Sequence, residues 1–369
     1  MISRRAIVTA GVVLAAGCRS KRKTGFPGYA FVANEEGQAI AAVDLSAFAV
    51  IRHVRLDAKP SDVASSRSIP AVYALTPSTG TIHEIPTDRL EVRRKLARGS
   101  SAVSMRVRGR TLLALYRSPR RLAAIALDEF APAWDVAIPF EPYDFDVSAD
   151  GGTAAVSHGR EGRLSLIDLS TKKVRTIDAR TEIGTVRFQS DGRALIIADK
   201  GRRMLLVYDV ARAEIIARLP LAVSPDNFCF NADGGQLFVT GEGSDALVVV
   251  YPYHTPQVAE TVLAGRGPAS MAASNTQPPY LFVSNPSSGE VTIMNITTRR
   301  VVAVAAVGAE PGYIGVTPDQ QYALVLNRKS GDMAVLRIHA EIANRQKSAG
   351  LLTMIPVGSK PVSATIRAV

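Results

Sequence analysis

His158 is the histidine best placed for acid–base work in this 369-residue chain, with Asp144 and Asp146 shortly before it. An imidazole near carboxylates can move protons around neutral pH. The chain's five histidines lie far apart, and no His-x-His or paired-carboxylate spacing points to a metal. No Gly-x-Ser-x-Gly elbow is present to expose a nucleophilic serine. Asp62, Asp144 and Asp226 are scattered oxygens that could serve calcium only if the fold gathered them. Two cysteines, Cys18 and Cys229, are too few for a disulfide scaffold or a four-cysteine zinc site. On residue types alone, His158 reads as a mostly solvated side chain and its acids as ordinary turn-proximal groups. No catalytic residue or metal ligand is assigned.

The other chemistry on offer is cationic. The chain has 44 Lys+Arg against 33 Asp+Glu, a net charge of +11. Aromatic residues make up 6%, with no aromatic-interleaved basic block for stacking bases and no helix-turn-helix or zinc-finger spacing. Nucleic acid is therefore excluded as the expected partner. A 47% apolar content with 21% charged residues is ordinary for a globular chain and leaves ample core material.

The first eighteen residues read as an address. Arg4 and Arg5 precede an uncharged, mostly apolar run from Ala6 to Ala16. That run is too short for a bilayer span, which takes about 20 residues, and suits a secretory signal. It ends in Leu14-Ala15-Ala16-Gly17-Cys18, which resembles the bacterial lipobox. The resemblance implies cleavage before Cys18 and a diacylglycerol on its thiol. Ser3-Arg4-Arg5 also resembles the twin-arginine export motif, leaving two export routes open. The expected organisation is a signal peptide over 1–17, a lipidated tether over 18–28 and one domain over 29–369. The chain is expected outside the cytoplasmic membrane, monomeric, with no cofactor beyond that lipid. Cys229, in a strand-like run, reads as a buried inert thiol.

From Tyr29 onward, β-branched runs alternate with turn signals such as Asp150-Gly151-Gly152 and Asp191-Gly192. Residues 143–183 parse as four antiparallel strands. The end of the second strand of each unit falls at Asn34, Thr76, Arg117, His158, Asp199, Gly241, Asn285 and Asn327, at intervals of 41 to 44 residues. Four strands per such period is the signature of a β-propeller. The expectation is an all-β fold of eight blades, with seven as the alternative if one of units 60–101 and 102–142 is degenerate. The first unit has only three strands, and the orphan strand 362–369 is expected to complete it and close the ring. The one helical-looking segment is 337–347.

Several units resemble the YVTN-type propeller repeat. The matches include Tyr29-Ala30-Phe31-Val32-Ala33-Asn34, Leu164-Ser165-Leu166-Ile167-Asp168, Tyr280-Leu281-Phe282-Val283-Ser284-Asn285 and Ala306-Val307-Gly308-Ala309-Glu310-Pro311. The resemblance implies the fold over 29–369 and a surface or periplasmic binding role. Related propellers also imply two alternatives. One is a lactonase-like hydrolase using acids, histidine and arginine in the central funnel. The other is a haem d1-type tetrapyrrole site, for which His158 and Arg160 are the candidates.

In a propeller, the loops between second and third strands (B–C loops) share a face with the connections between blades. Units 3 to 5 supply Arg117, Arg120, Arg121, Arg160, Arg163, Lys200, Arg202 and Arg203 near these loops, opposed there only by Glu161 and Asp199. The loops of units 6, 7 and 1 carry Glu242, Asp245, Glu290, Glu35 and Glu36 and no cation. One arc of the face is thus expected to be basic and much of the other acidic. Arginine's planar fork suits carboxylate and phosphate. The expected function is a membrane-anchored binding or scaffold protein for an anionic partner: an acidic protein, a polysaccharide or a lipid headgroup.

Overall fold

A computed structural model describes residues 25–338 and 350–368. The signal segment, Cys18 and most of the helix expected over 337–347 lie outside them. Arg337 itself ends a strand, Asp332–Arg337.

Eight four-stranded antiparallel sheets make a closed eight-bladed β-propeller. The strands of blade 1 are Gly28–Asn34, Ala39–Asp44 and Ala49–Arg55, and its innermost strand is the C-terminal Pro361–Ala368. Ala30 pairs with Ile366 and Val32 with Ala364, so the two chain ends share one sheet, as the orphan strand predicted. The units over 60–142 are full blades, which removes the seven-bladed alternative.

Middle strands are buried on both sides, which is why Ala71–Thr76 reads as an unbroken apolar run. Outer strands alternate, as in Glu214–Pro220, where every second residue is exposed. Eight clusters of buried apolar side chains fill the eight blade-to-blade interfaces, so the ring has no open seam. Phe31, Phe238 and Phe282 are fully buried there, each contributing about 2 kcal/mol of burial.

The repeat motif has a steric cause. Asn34, Asn285 and Asn327 end the second strands of blades 1, 7 and 8 and are buried. Each lies against a glycine of the preceding inter-blade connection. A Cβ would fall 2.9 Å from the Asn34 amide nitrogen at Gly358, 2.4 Å from that of Asn285 at Gly265 and 2.6 Å from that of Asn327 at Gly308. Asn34 Nδ2 donates to the Val357 carbonyl at 2.8 Å, tying blade 1 to the strand connection that leads into it. On the opposite face, Asp168 accepts from the Ser170 hydroxyl at 2.6 Å and from two backbone amides, which hold its pKa down at about 2 and fix the hairpin.

Candidate functional site

The innermost strands of blades 2 to 5 are Asp62–Ser65, Ser100–Arg108, Asp144–Val147 and Ile183–Phe188. Each puts a charged side chain on the wall of the central channel, in alternating sign: Asp62, Arg106, Asp144, Arg187. Arg187 Nη1 donates to Asp144 Oδ2 at 2.6 Å, and Arg106 Nη2 stands 3.7 Å from Asp144 Oδ1. Burial opposes the charge on Arg187, but Asp144 and Asp146 outweigh it and raise its pKa. Asp62 accepts from the Ser363 hydroxyl at 2.9 Å, which joins the belt to the closing strand. Burial raises the Asp62 pKa, with Arg106 pulling the other way. Beside the belt, a cavity of about 440 Å³ is lined by Ser104, Asp144, Thr185, Arg187, Asn227 and Met271 among others. The Ser104 hydroxyl is buried there without a partner.

Asp144 and Asp226 both line this cavity but Asp62 does not, so the three are not gathered as one cation site. Asp226 accepts from Lys200 at 3.0 Å, and the other two are engaged in the belt. Among the described residues no group of three or more potential metal ligands converges.

His158 is not the solvated side chain expected. It is buried, with Nδ1 at 3.2 Å from the Glu141 carbonyl, Nε2 at 2.8 Å from the Ser165 hydroxyl and its ring edge-on to Phe140. The cause is local: a short 3₁₀ turn, Gly159–Glu161, begins where its strand ends and leaves the ring packed over the next strand. Burial lowers its pKa. Asp144 and Asp146 bond elsewhere, so the three do not form a catalytic set. Among the described residues no histidine lines the channel. His53 sits 2.9 Å from the Val357 carbonyl, His83 pairs with Asp57, and His254 is an exposed turn residue.

The B–C loops do share a face with the inter-blade connections, as the Arg117–Glu141 ion pair (3.4 Å) and the Lys200 amide donating to the Glu182 carbonyl (2.9 Å) show. The basic arc is largely ion-paired. Arg121 meets Asp135 at 2.7 Å, Arg163 meets Asp178 at 3.6 Å and Arg202 meets Asp199 at 4.0 Å. Arg163 also lies over the Phe140 ring. Arg120 donates to the Pro139 carbonyl at 3.3 Å. Arg160 and Arg203 are exposed and make no ion pair among the described residues. Arg160 stands with Arg117 at a cleft of about 360 Å³ that also holds His158, Glu141, Glu161 and Glu182, so the predicted pair His158 and Arg160 does share a cleft. The opposite arc is less acidic than the loop charges implied. Lys360 and Lys59 pair with Glu35 and Glu36 at 2.9 and 2.8 Å. Blade 8 contributes Arg328 and Lys329, and Arg266 is exposed on the connection between blades 6 and 7.

The channel belt was missed by loop-based reasoning. Its signal is a charged residue within strands whose neighbours are small or apolar, at matching places in successive units.

No family model and no curated protein matches the chain. Solved structures do. NirN, a dihydro-heme d1 dehydrogenase in complex with DHE, superposes with a TM-score of 0.74 at 14% identity, over 92% of this chain and 75% of that one. Apo AztD from Citrobacter koseri gives 0.69 at 13% identity, over 92% and 97%. A putative 6-phosphogluconolactonase from Bacteroides fragilis gives 0.61 at 14%, over 92% and 98%. What they share with this chain is the fold. At such identities a propeller hosts unrelated activities.

Proposed function

We propose that the chain is an exported binding propeller, held to a bacterial membrane by a diacylglycerol on Cys18, that engages an anionic partner on its B–C loop face. The observation that carries this reading is the pair Arg160 and Arg203. Both are exposed on that face with no carboxylate partner among the described residues. A free guanidinium can take a carboxylate, sulfate or phosphate without first giving up an ion pair. Arg117, Arg120 and Arg202 flank them, more than a third exposed. Binding rather than catalysis is the better-supported reading, because the buried His158 and the dispersed acids supply no proton-transfer set. In the lactonase-like and tetrapyrrole alternatives the named histidine, His158, lines the same cleft as Arg160 but has its two ring nitrogens at the Glu141 carbonyl and the Ser165 hydroxyl.

Two experiments test the two halves. Cys18→Ala should move the protein from the membrane to the soluble exported fraction and abolish lipid labelling; labelling that survives refutes the anchor. The released protein should retain acidic proteins or anionic glycans in pull-down and lose them when Arg160 and Arg203 become Glu. Retention unchanged by that substitution refutes the site.

A further inference from the structure

We infer that the partner is a folded protein of patterned charge, met on the face turned away from the anchoring membrane. This rests on the binding reading above and narrows it. Around the face, the charges change sign with blade number. Arg160, Arg202 and Arg203 stand on blades 4 and 5, and Glu242 and Asp245 are exposed on blade 6 immediately beside them. Glu290 follows on blade 7, half-buried, with Arg266 between. Arg328 and Lys329 then stand on blade 8, diametrically across the eight-bladed ring from Arg160.

The step from Arg203 to blade 6 is abrupt. A Cβ on Gly243 would sit 3.3 Å from the Arg203 guanidinium, so the acidic loop lies directly against the unpaired arginine. A uniform polyanion gains at the arginines and is repelled at Glu242 and Asp245. A flat anionic bilayer meets the same conflict. A folded protein can oppose an acidic patch to blades 4 and 5 and a basic one to blade 6, which is how interfaces fix register and reject wrong partners.

The tether points the same way. Phe26 is buried in the core between blades 8 and 1, against Tyr322 and Leu324, and the Leu45 amide donates to the Gly28 carbonyl at 3.0 Å. These contacts hold the start of the chain at the end of the propeller opposite the B–C loops. The strand Gly28–Asn34 then runs from that end to the loop face, roughly 20 Å at the rise of a β-strand. Cys18 lies seven residues before Gly25, a reach of at most about 25 Å. A lipid on Cys18 is thus attached from the turn-face end, which favours the turn face toward the bilayer and the loop face outward.

The test uses the full lipidated chain in its host. A photo-crosslinking residue replaces Ser244, between Glu242 and Asp245, or Ser170 on the opposite face. Ser244 should give an adduct of discrete mass and Ser170 should not. The adduct should fall at least about fivefold with Arg202→Glu/Arg203→Glu and equally with Glu242→Lys/Asp245→Lys, with the melting temperature of each variant confirming its fold. An adduct lost on arginine reversal but strengthened by Glu242→Lys/Asp245→Lys overturns the patterned partner and leaves the arginine site standing. An adduct indifferent to arginine reversal overturns both, and no adduct at Ser244 overturns the inference. A heterogeneous smear identifies a polysaccharide and also overturns it. In vesicles of phosphatidylglycerol and phosphatidylcholine, a dye on Arg160→Cys should transfer energy to a lipid acceptor less efficiently than one on Ser170→Cys. Equal or reversed transfer overturns the outward face.

Discussion

Arg187 donates to Asp144 at 2.6 Å although the two lie 43 residues apart. The contact joins the innermost strands of blades 4 and 5 and places an ion pair on the channel wall, where the side chains are 30% and 14% exposed. Removing one charge from a pair this enclosed leaves the other poorly solvated. Asp144→Asn should cost about 2–3 kcal/mol, somewhat below a fully buried pair because the channel admits water. Glu36→Gln, at the exposed Lys59 pair, should leave stability essentially unchanged, because solvent screens that pair. Urea unfolding of both variants checks the contrast; equal effects would mean the belt is as weakly coupled as the surface.

Ring closure rests on the C-terminal strand. Deleting 362–369 uncovers one edge of Gly28–Asn34 and leaves an unpaired strand beside the channel. The melting temperature should fall by roughly 10 °C or more, or the protein should aggregate on expression. Scanning calorimetry of the truncated chain decides it: a melting temperature equal to the parent's contradicts closure by this strand.

The asparagine–glycine contacts predict a cost without any change of backbone region. Gly308→Ala puts a Cβ 2.4 Å from Ser330 Oγ and 2.6 Å from Asn327 Nδ2. Such overpacking should cost about 1–3 kcal/mol. Gly109→Ala has open space around its Cβ but a φ of +56°, so any loss there comes from backbone strain instead. Chemical denaturation with Asn327→Ala added to Gly308→Ala separates the cases: relief of the clash should recover part of the loss at Gly308.

The pH dependence follows from His158. Burial lowers its folded pKa below the ordinary 6.5. The unfolded chain therefore binds the proton more readily, and the stability at stake is fully present above 6.5. It is lost as pH falls from 6.5 through the lowered folded value. The imidazole titration followed by NMR should have its midpoint below 6.5; a midpoint above it would show that His158 is not held neutral by burial.

Blade number, strand order and closure were legible in the sequence because each depends on local pattern. Second-strand ends at Asn34, Asp199, Asn285 and Asn327 recur at a nearly constant interval, and three strands at one end with one at the other leave few ways to close a ring. The charge network was not legible. Arg187 and Asp144 meet only through the register of two separate blades. The acids that pair with Arg121 and Arg163, namely Asp135 and Asp178, belong to outer strands or their ends. A count taken loop by loop therefore overstated the free positive charge. His158 was misplaced because sequence shows where a strand ends but not which way its last side chain turns.

Affinity for a short immobilised acidic peptide, triglutamate, small enough to meet the blade 4 and 5 arginines without spanning the blade 6 acids, tests the central claim most directly. It should be measured on the Cys18→Ala soluble form across a series of salt concentrations. Binding should weaken steadily as salt screens the charges. It should drop at least about tenfold, or about 1.4 kcal/mol, with Arg160→Glu/Arg203→Glu, and be largely kept with Arg160→Lys/Arg203→Lys. Affinity that ignores both salt and charge reversal would contradict an anion-binding loop face.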